Sequence, residues 1–287
     1  MVPKIVAEVG CNHKGDLQIA KESIRIAANF CKVDYVKFQK RSNSELLSEA
    51  AFNEPHPNPA NSYGASYGAH REHLEFTVDQ HRELMAFCDQ MGVGYSTSTW
   101  DVTSARQMVA LNPDYLKVPS ASNLHWEMLS VLCGEFGGGI HLSLGMTTRA
   151  EEEEIVSFFE NRGRAGDLLL YACTSAYPVA YDEICLCEIT RLKEAFGARV
   201  QSIGFSGHHL GIAADIAAIS LGATWVERHF TLDRTWKGTD HSASLEPDGM
   251  RRLARDVRNV ARALTRKSTE ILPAEVDTRR KLKWQPT

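Results

Sequence analysis

The residue types that could do chemistry in this chain fall at the ends of apolar runs. His208, in GFSGHHLG (204–211), follows the run IGF; His229, in ATWVERHF (223–230), follows ATWV, with Glu227 two positions before it. Two neutral imidazoles at the ends of adjacent strands could hold one divalent ion and leave positions open for water and substrate oxygens, with Glu227 near enough to act as a base. Lys37 in VKFQK (36–40) and Lys117 in LKVPS (116–120) also lie at the ends of such runs. Burying two lysines there costs several kcal/mol unless an anion meets them. With Ser98, Ser120 and Ser206 they make a candidate phosphate cradle of two point charges plus hydroxyl and backbone donors. Glu8 with Asn12 and His13, Gln39, Ser96 and Thr97, Ser143, and Thr174 with Ser175 and Tyr177 extend the pattern.

Such residues need a scaffold that gathers strand ends. Strand-like runs stand at KIVAEVG (4–10), DYVKFQK (34–40), VGYSTST (93–99), DYLKVPS (114–120), GIHLSLG (139–145), DLLLYACT (167–174), VQSIGFS (200–206) and ATWVERHF (223–230). Helical patterns at 16–30, 77–91, 101–111, 123–136, 147–162, 182–196, 211–222 and 247–267 alternate with them. Eight β/α units in about 265 residues predict a TIM (β/α)8 barrel. No GxGxxG follows the first strand, which disfavours an open doubly wound sheet. In the barrel the site forms at the C-terminal ends of the strands, where the residues above are found. The barrel is expected over 1–270, with a Pro/Asn/Gly/Tyr-rich lid loop at 40–77 that shows no clear regular structure, and a tail at 271–287.

Charge and composition narrow the partners. Lys and Arg total 32 against 36 Asp and Glu, a formal charge of −4, so no basic stripe for nucleic acid is expected. Hydrophobic residues make up 43% of the chain, enough for a sizeable core. The odd count of seven cysteines, without framework spacing, reads as reduced, mostly buried thiols of a cytosolic protein. With no signal peptide and no apolar run of transmembrane length, a soluble, cytoplasmic protein without a membrane partner is expected. A homo-oligomer is expected on general grounds. His209, His141 and His125 read as hydrogen-bonded core residues, and the EEEE run at 151–154 as a solvated first helical turn.

Nine motifs stand in order along the chain: AEVGCNHKGD (7–16), VKFQK (36–40), YSTSTWD (95–101), LKVPS (116–120), LSLGM (142–146), ACTSAYP (172–178), GFSGHH (204–209), ERHFT (227–231) and GTDHSASLEP (238–247). Together they resemble the sialic acid (N-acetylneuraminate) synthases, which condense phosphoenolpyruvate with an N-acetylated hexosamine. The resemblance implies phosphoenolpyruvate contacts at Lys37, Ser98, Lys117, Ser120, Ser175 and Ser206. It implies a divalent metal at His208 and His229, manganese first, with magnesium or cobalt as alternatives. It implies acceptor-sugar contacts at Glu8, Gln39, Tyr177 and Asp240, and Glu227 as the base for water; Glu8, His208 and His229 join Glu227 in the catalytic set. The implied reaction is attack of C3 of phosphoenolpyruvate on the aldehyde of an open-chain sugar such as N-acetylmannosamine. Water then adds to C2 and phosphate leaves by C–O cleavage.

Two positions depart from the family pattern: Ser175 stands where many members have Asn, and Ser122 where they often have an acidic residue. Many members of the family it resembles also continue into an antifreeze-like domain that supplies an Arg to the sugar across a dimer. The expectation is that this domain is absent and that a lid residue, Tyr63, Tyr67, His70 or above all Arg71, closes over the sugar. Alternative acceptors are a diacetamido-hexose, a neutral hexose or a hexose 6-phosphate, the last calling on Arg41 and Arg71. A catalytically silent sugar-binding barrel is the remaining reading.

Overall fold

The computed structural model describes residues 2–284. Eight parallel strands close into a barrel in chain order: β1 (Lys4–Gly10), β2 (Tyr35–Lys40), β3 (Gly94–Thr99), β4 (Tyr115–Val118), β5 (Gly139–Ser143), β6 (Leu168–Cys173), β7 (Ser202–Gly207) and β8 (Trp225–His229). The TIM barrel is thus the observed fold. Alternation along each strand divides the side chains between two cores. On β1, Ile5, Ala7 and Val9 are buried against the helices, as are Val36 and Phe38 on β2. Intervening residues point into the barrel.

The helices are α1 (Leu17–Ile26), α2 (Asn43–Leu46), α3 (Glu49–Asn53), α4 (Tyr67–Leu74), α5 (Val78–Met91), α6 (Val102–Val109), α7 (Trp126–Glu135), α8 (Arg149–Glu160), α9 (Glu188–Phe196), α10 (Ala213–Ser220), α11 (Pro247–Ala263) and α12 (Val276–Leu282). Thr77, Asp101 and Thr148 close capping boxes at the starts of α5, α6 and α8, satisfying first-turn N–H groups that would otherwise be orphaned. Three expectations need correction. The stretch at 40–77 carries α2, α3 and α4; Ser48 and Ser66 cap α3 and α4, and these short helices lack the long apolar period that would reveal them. The helix read over 182–196 begins only at Glu188, because Cys185 adopts a left-handed φ of 53° that breaks it. All seven cysteines are free thiols, but only Cys31 and Cys88 are buried, while Cys185 and Cys187 are exposed.

The floor of the barrel is aromatic. Tyr115 stacks on His141 with ring centroids 3.8 Å apart, and Trp225 meets His141 edge-on at 4.6 Å. Tyr35 and Tyr171 complete this plug. Outside the sheet, Arg228 of β8 is 1% exposed and ties two segments together. Its guanidinium pairs with Asp215 of α10 and donates to His209 Nε2 (3.0 Å) and the Gly211 carbonyl (2.9 Å). His209 is therefore a core residue, as expected. Beyond α11 the chain runs over the surface, and α12 buries no residue; positions 285–287 of the tail lie outside the described residues.

Candidate active site

Strand register puts the predicted residues into one layer above the aromatic floor. Glu8 pairs with Lys37 on one side and His229 on the other. Ser98 pairs with Lys117, and Ser206 with Glu227. The result is a buried ring of alternating charge. Lys37 is ion-paired with Glu8, donates to Ser98 Oγ at 2.6 Å and lies 3.7 Å from Glu227. Lys117 Nζ sits 3.3 Å from Glu227 Oε1 and 3.5 Å from the centroid of the Tyr171 ring. The anions that meet the two buried lysines are thus first the protein's own carboxylates, a pairing that strand-end counting did not reveal.

This packing shapes the ionisation of the ring. Burial pulls the Lys117 ammonium down to about 8, with Glu227 opposing the fall and Lys37 adding to it. Burial pushes the Glu227 carboxyl up, but Lys117 and Lys37 outweigh it and hold the group at about 2. At Glu8 burial wins over Lys37, and the carboxyl is raised.

A cavity of about 320 Å³ opens above the ring. Glu8, Lys37, Gln39, Ser98, Lys117, Ser120, Ser175, Tyr177, Ser206, His208, Glu227, His229 and Asp240 all line it, so thirteen of the fourteen predicted site residues meet in one place. Arg71 does not line it. It lies on the inner side of α4, 8% exposed, with Nη2 3.6 Å from Glu75 one turn on and 3.9 Å from Cys11 Sγ. Tyr63 instead donates its hydroxyl to the Lys237 carbonyl, and His70 accepts the Tyr63 N–H at 3.1 Å. The lid is thereby fastened to the loop that carries Asp240. Asn12 and His13 are also structural: Asn12 donates to the Phe230 carbonyl and His13 stacks on Phe76.

Sequence reasoning left Trp100 and Gly145 out of the site and gave Arg41 only a conditional role. Arg41 lines the cavity, with its guanidinium carbon over the Trp100 ring, 3.4 Å from the ring centroid. A Cβ at Gly145 would come within 2.3 Å of Ser175 Oγ and 2.6 Å of Ser120 Oγ, so only glycine lets these two hydroxyls face one gap. The motif LSLGM contained the signal for Gly145, but its reason lies in a contact between three different loops.

The two histidines come together as required. His208 follows β7 and His229 ends β8, with ring centroids 5.4 Å apart. His208 Nδ1 is within 3.0 Å of the Thr174 carbonyl, and donation there leaves Nε2 as a lone-pair donor. Burial and the neighbouring His229 pull His208 down to about 3, so the ring is neutral. His229 Nδ1 is buried without a hydrogen-bond partner. This donor set fits a divalent ion with two protein ligands. Among the described residues no group of three or more His, Cys, Asp or Glu side chains is spaced to bind a metal, so the remaining ligands would be water or substrate.

Residues 23–269 match the NeuB family. The chain belongs to the NeuB family. Human N-acetylneuraminate-9-phosphate synthase is 37% identical over 278 residues, covering 97% of this chain and 76% of that protein. The N,N'-diacetyllegionaminic acid synthase of Campylobacter jejuni is 32% identical over 261 residues, 91% of this chain and 77% of its own. A crystal structure of N-acetylneuraminic acid synthetase from Leptospira borgpetersenii, in complex with citrate, superposes with a TM-score of 0.82 at 25% identity, over 99% of this chain and 94% of that one. The expected enzyme class, a sialic-acid-synthase-type transferase dependent on phosphoenolpyruvate, is borne out for this NeuB member. Among its described residues no helix is long and apolar enough to cross a membrane.

Proposed function

We propose that this NeuB-family enzyme condenses phosphoenolpyruvate with the open-chain aldehyde of an N-acetylated hexosamine and releases phosphate by C–O cleavage. The observation that carries this reading is the convergence of Lys37 and Lys117 in one buried layer beneath the gap between Ser120 and Ser175. The lysines offer the substrate's anionic groups two charges in a desolvated site, and the serines offer hydroxyl donors. Gln39, Glu8, Tyr177 and Asp240 line the same cavity, where they would orient the acceptor. A divalent ion held by His208 and His229, manganese first, would supply polarisation of the aldehyde oxygen.

Glu227 is the proposed base for the water that adds to C2. A carboxylate clamped by two lysines is a poor base. Phosphoenolpyruvate competes for those same ammonium groups, so its arrival loosens the clamp and raises the carboxylate's affinity for a proton. Glu8, ion-paired with Lys37, is the partner that holds that side chain in place. A cytoplasmic homo-oligomer is the proposed setting.

The test is incubation with phosphoenolpyruvate, Mn²⁺ and a panel of aldoses that includes N-acetylmannosamine, diacetamido-hexoses, neutral hexoses and their 6-phosphates. Acceptor-dependent phosphate release is expected and should disappear with EDTA. Absence of release with every aldose would favour the silent sugar-binding barrel.

A further inference from the structure

The ends of β7 and β8 carry two pairs of side chains back to back. His208 and His229 line the cavity, while their chain neighbours, His209 and Arg228, turn the other way and meet Asp215 of α10. The β7–β8 ladder stops at Gly207 opposite Arg228, one residue short of both cavity histidines. Beyond it, Arg228 carries the link from β8 to the His208 segment through its side chain. Its Nη2 donates to the His209 carbonyl and its Nη1 to the Gly211 carbonyl, the latter at 2.9 Å. Those carbonyls follow His208 directly, in a turn where Gly211 holds a φ of 78°. Asp215 grips the guanidinium from behind, and the same carboxylate oxygen lies 3.2 Å from His209 Nε2.

Stability alone does not account for this network. Arg228 is 1% exposed and Asp215 and His209 are fully buried, and a buried ion pair holds a fold no better than well-packed apolar residues of the same volume. Asp215 Oδ1, His209 Nδ1 and Arg228 Nε are also buried without partners among the described residues, each an unmade hydrogen bond that costs stability. What a planar fork of fixed donors does supply is direction. We infer that Arg228, held by Asp215, is a positioning residue that sets the spacing of His208 and His229 and, through it, the affinity of the site for a divalent cation. The inference rests on the metal reading above. With two protein ligands, both rings must stand at bonding distance at once, so a small shift of either forfeits the chelate.

The experiment titrates Mn²⁺ alone into the full-length enzyme, into Arg228→Lys and into the double variant Arg228→Met with Asp215→Leu. Bound ion is read by electron paramagnetic resonance, beside the melting temperature without metal. The double variant strands no charge, so it should melt close to the unchanged enzyme while binding Mn²⁺ about 10- to 100-fold more weakly. Arg228→Lys, which keeps the charge but not the fork, should fall between. A double variant of restored melting temperature and unchanged Mn²⁺ affinity overturns the inference; should that variant not fold, Arg228→Lys decides by the same comparison. If the unchanged enzyme takes up no Mn²⁺, the metal reading fails separately. Ring spacing in crystals of the variants then decides the positioning role: His208 and His229 centroids moved from 5.4 Å support it, and centroids still at that spacing refute it.

Discussion

Lys117 and Glu227 show how much of the chemistry is set by pairing rather than by residue type. Each is an ordinary strand-end residue in the sequence; only register and closure place them 3.3 Å apart. A buried ammonium pulled down to about 8 has a consequence for ligand binding. An anion at the lysine layer favours the charged form, so binding takes up a proton wherever free Lys117 is neutral. Phosphoenolpyruvate affinity should therefore be flat just below pH 8 and weaken above it, by up to about tenfold per pH unit. Calorimetric titration between pH 7.5 and 9.5, where the phosphate is already fully ionised, would read this. Lys117→Met should bind more weakly and lose the slope. A flat profile in the unchanged enzyme would remove Lys117 from the anion site. The histidine pair was legible at this scale because both residues follow recognisable strands. Arg41 was only half legible: its charge could be counted, but the Trp100 platform that aims it comes from the loop after β3.

At the scale of elements, the eight strands were readable because each is a short run, mostly of aliphatic, aromatic or β-branched residues, set between helical patterns. The lid was not, because α2, α3 and α4 depend on caps and on contacts with the rest of the lid, such as Phe52 packed beneath Gly68. Arg71 fell outside the cavity for the same reason: its direction is fixed by the turn of α4 toward Glu75. The Arg228–Asp215 pair is a device of the same scale, joining β8 to α10 and to the loop that bears His208. Removing one partner of a buried pair leaves a bare charge, so Arg228→Met should cost about 3–5 kcal/mol, or roughly 6–20 °C in melting temperature. The double change Arg228→Met with Asp215→Leu should recover most of that loss, since no charge is then stranded. Thermal denaturation of the single and double variants reads both; a double variant no more stable than the single would show that the pair is not the unit that matters.

For the whole molecule, the barrel works as a layered container. An aromatic plug closes the bottom, a ring of two lysines and two carboxylates lies above it, and imidazoles and hydroxyls line the mouth. The ring is self-satisfied without substrate, which keeps two buried lysines tolerable, and it is ready to exchange its carboxylate contacts for those of an anionic ligand. The fold class and twelve of the thirteen site positions could be read from the sequence because barrel topology gathers strand ends in a known place; Asp240, well beyond the end of β8, came from the family resemblance alone. The charge ring, the Gly145 gap and the Arg41 platform could not, because each is a contact between segments far apart in the chain. The central claim is that this container joins phosphoenolpyruvate to an aldose with C–O cleavage. Phosphoenolpyruvate labelled with ¹⁸O at its bridging oxygen tests it most directly, in the presence of Mn²⁺ and the acceptor. One labelled phosphate is expected for each 2-keto acid formed, and none without acceptor. Unlabelled phosphate, with the label retained in the keto product, or release independent of the sugar would contradict it.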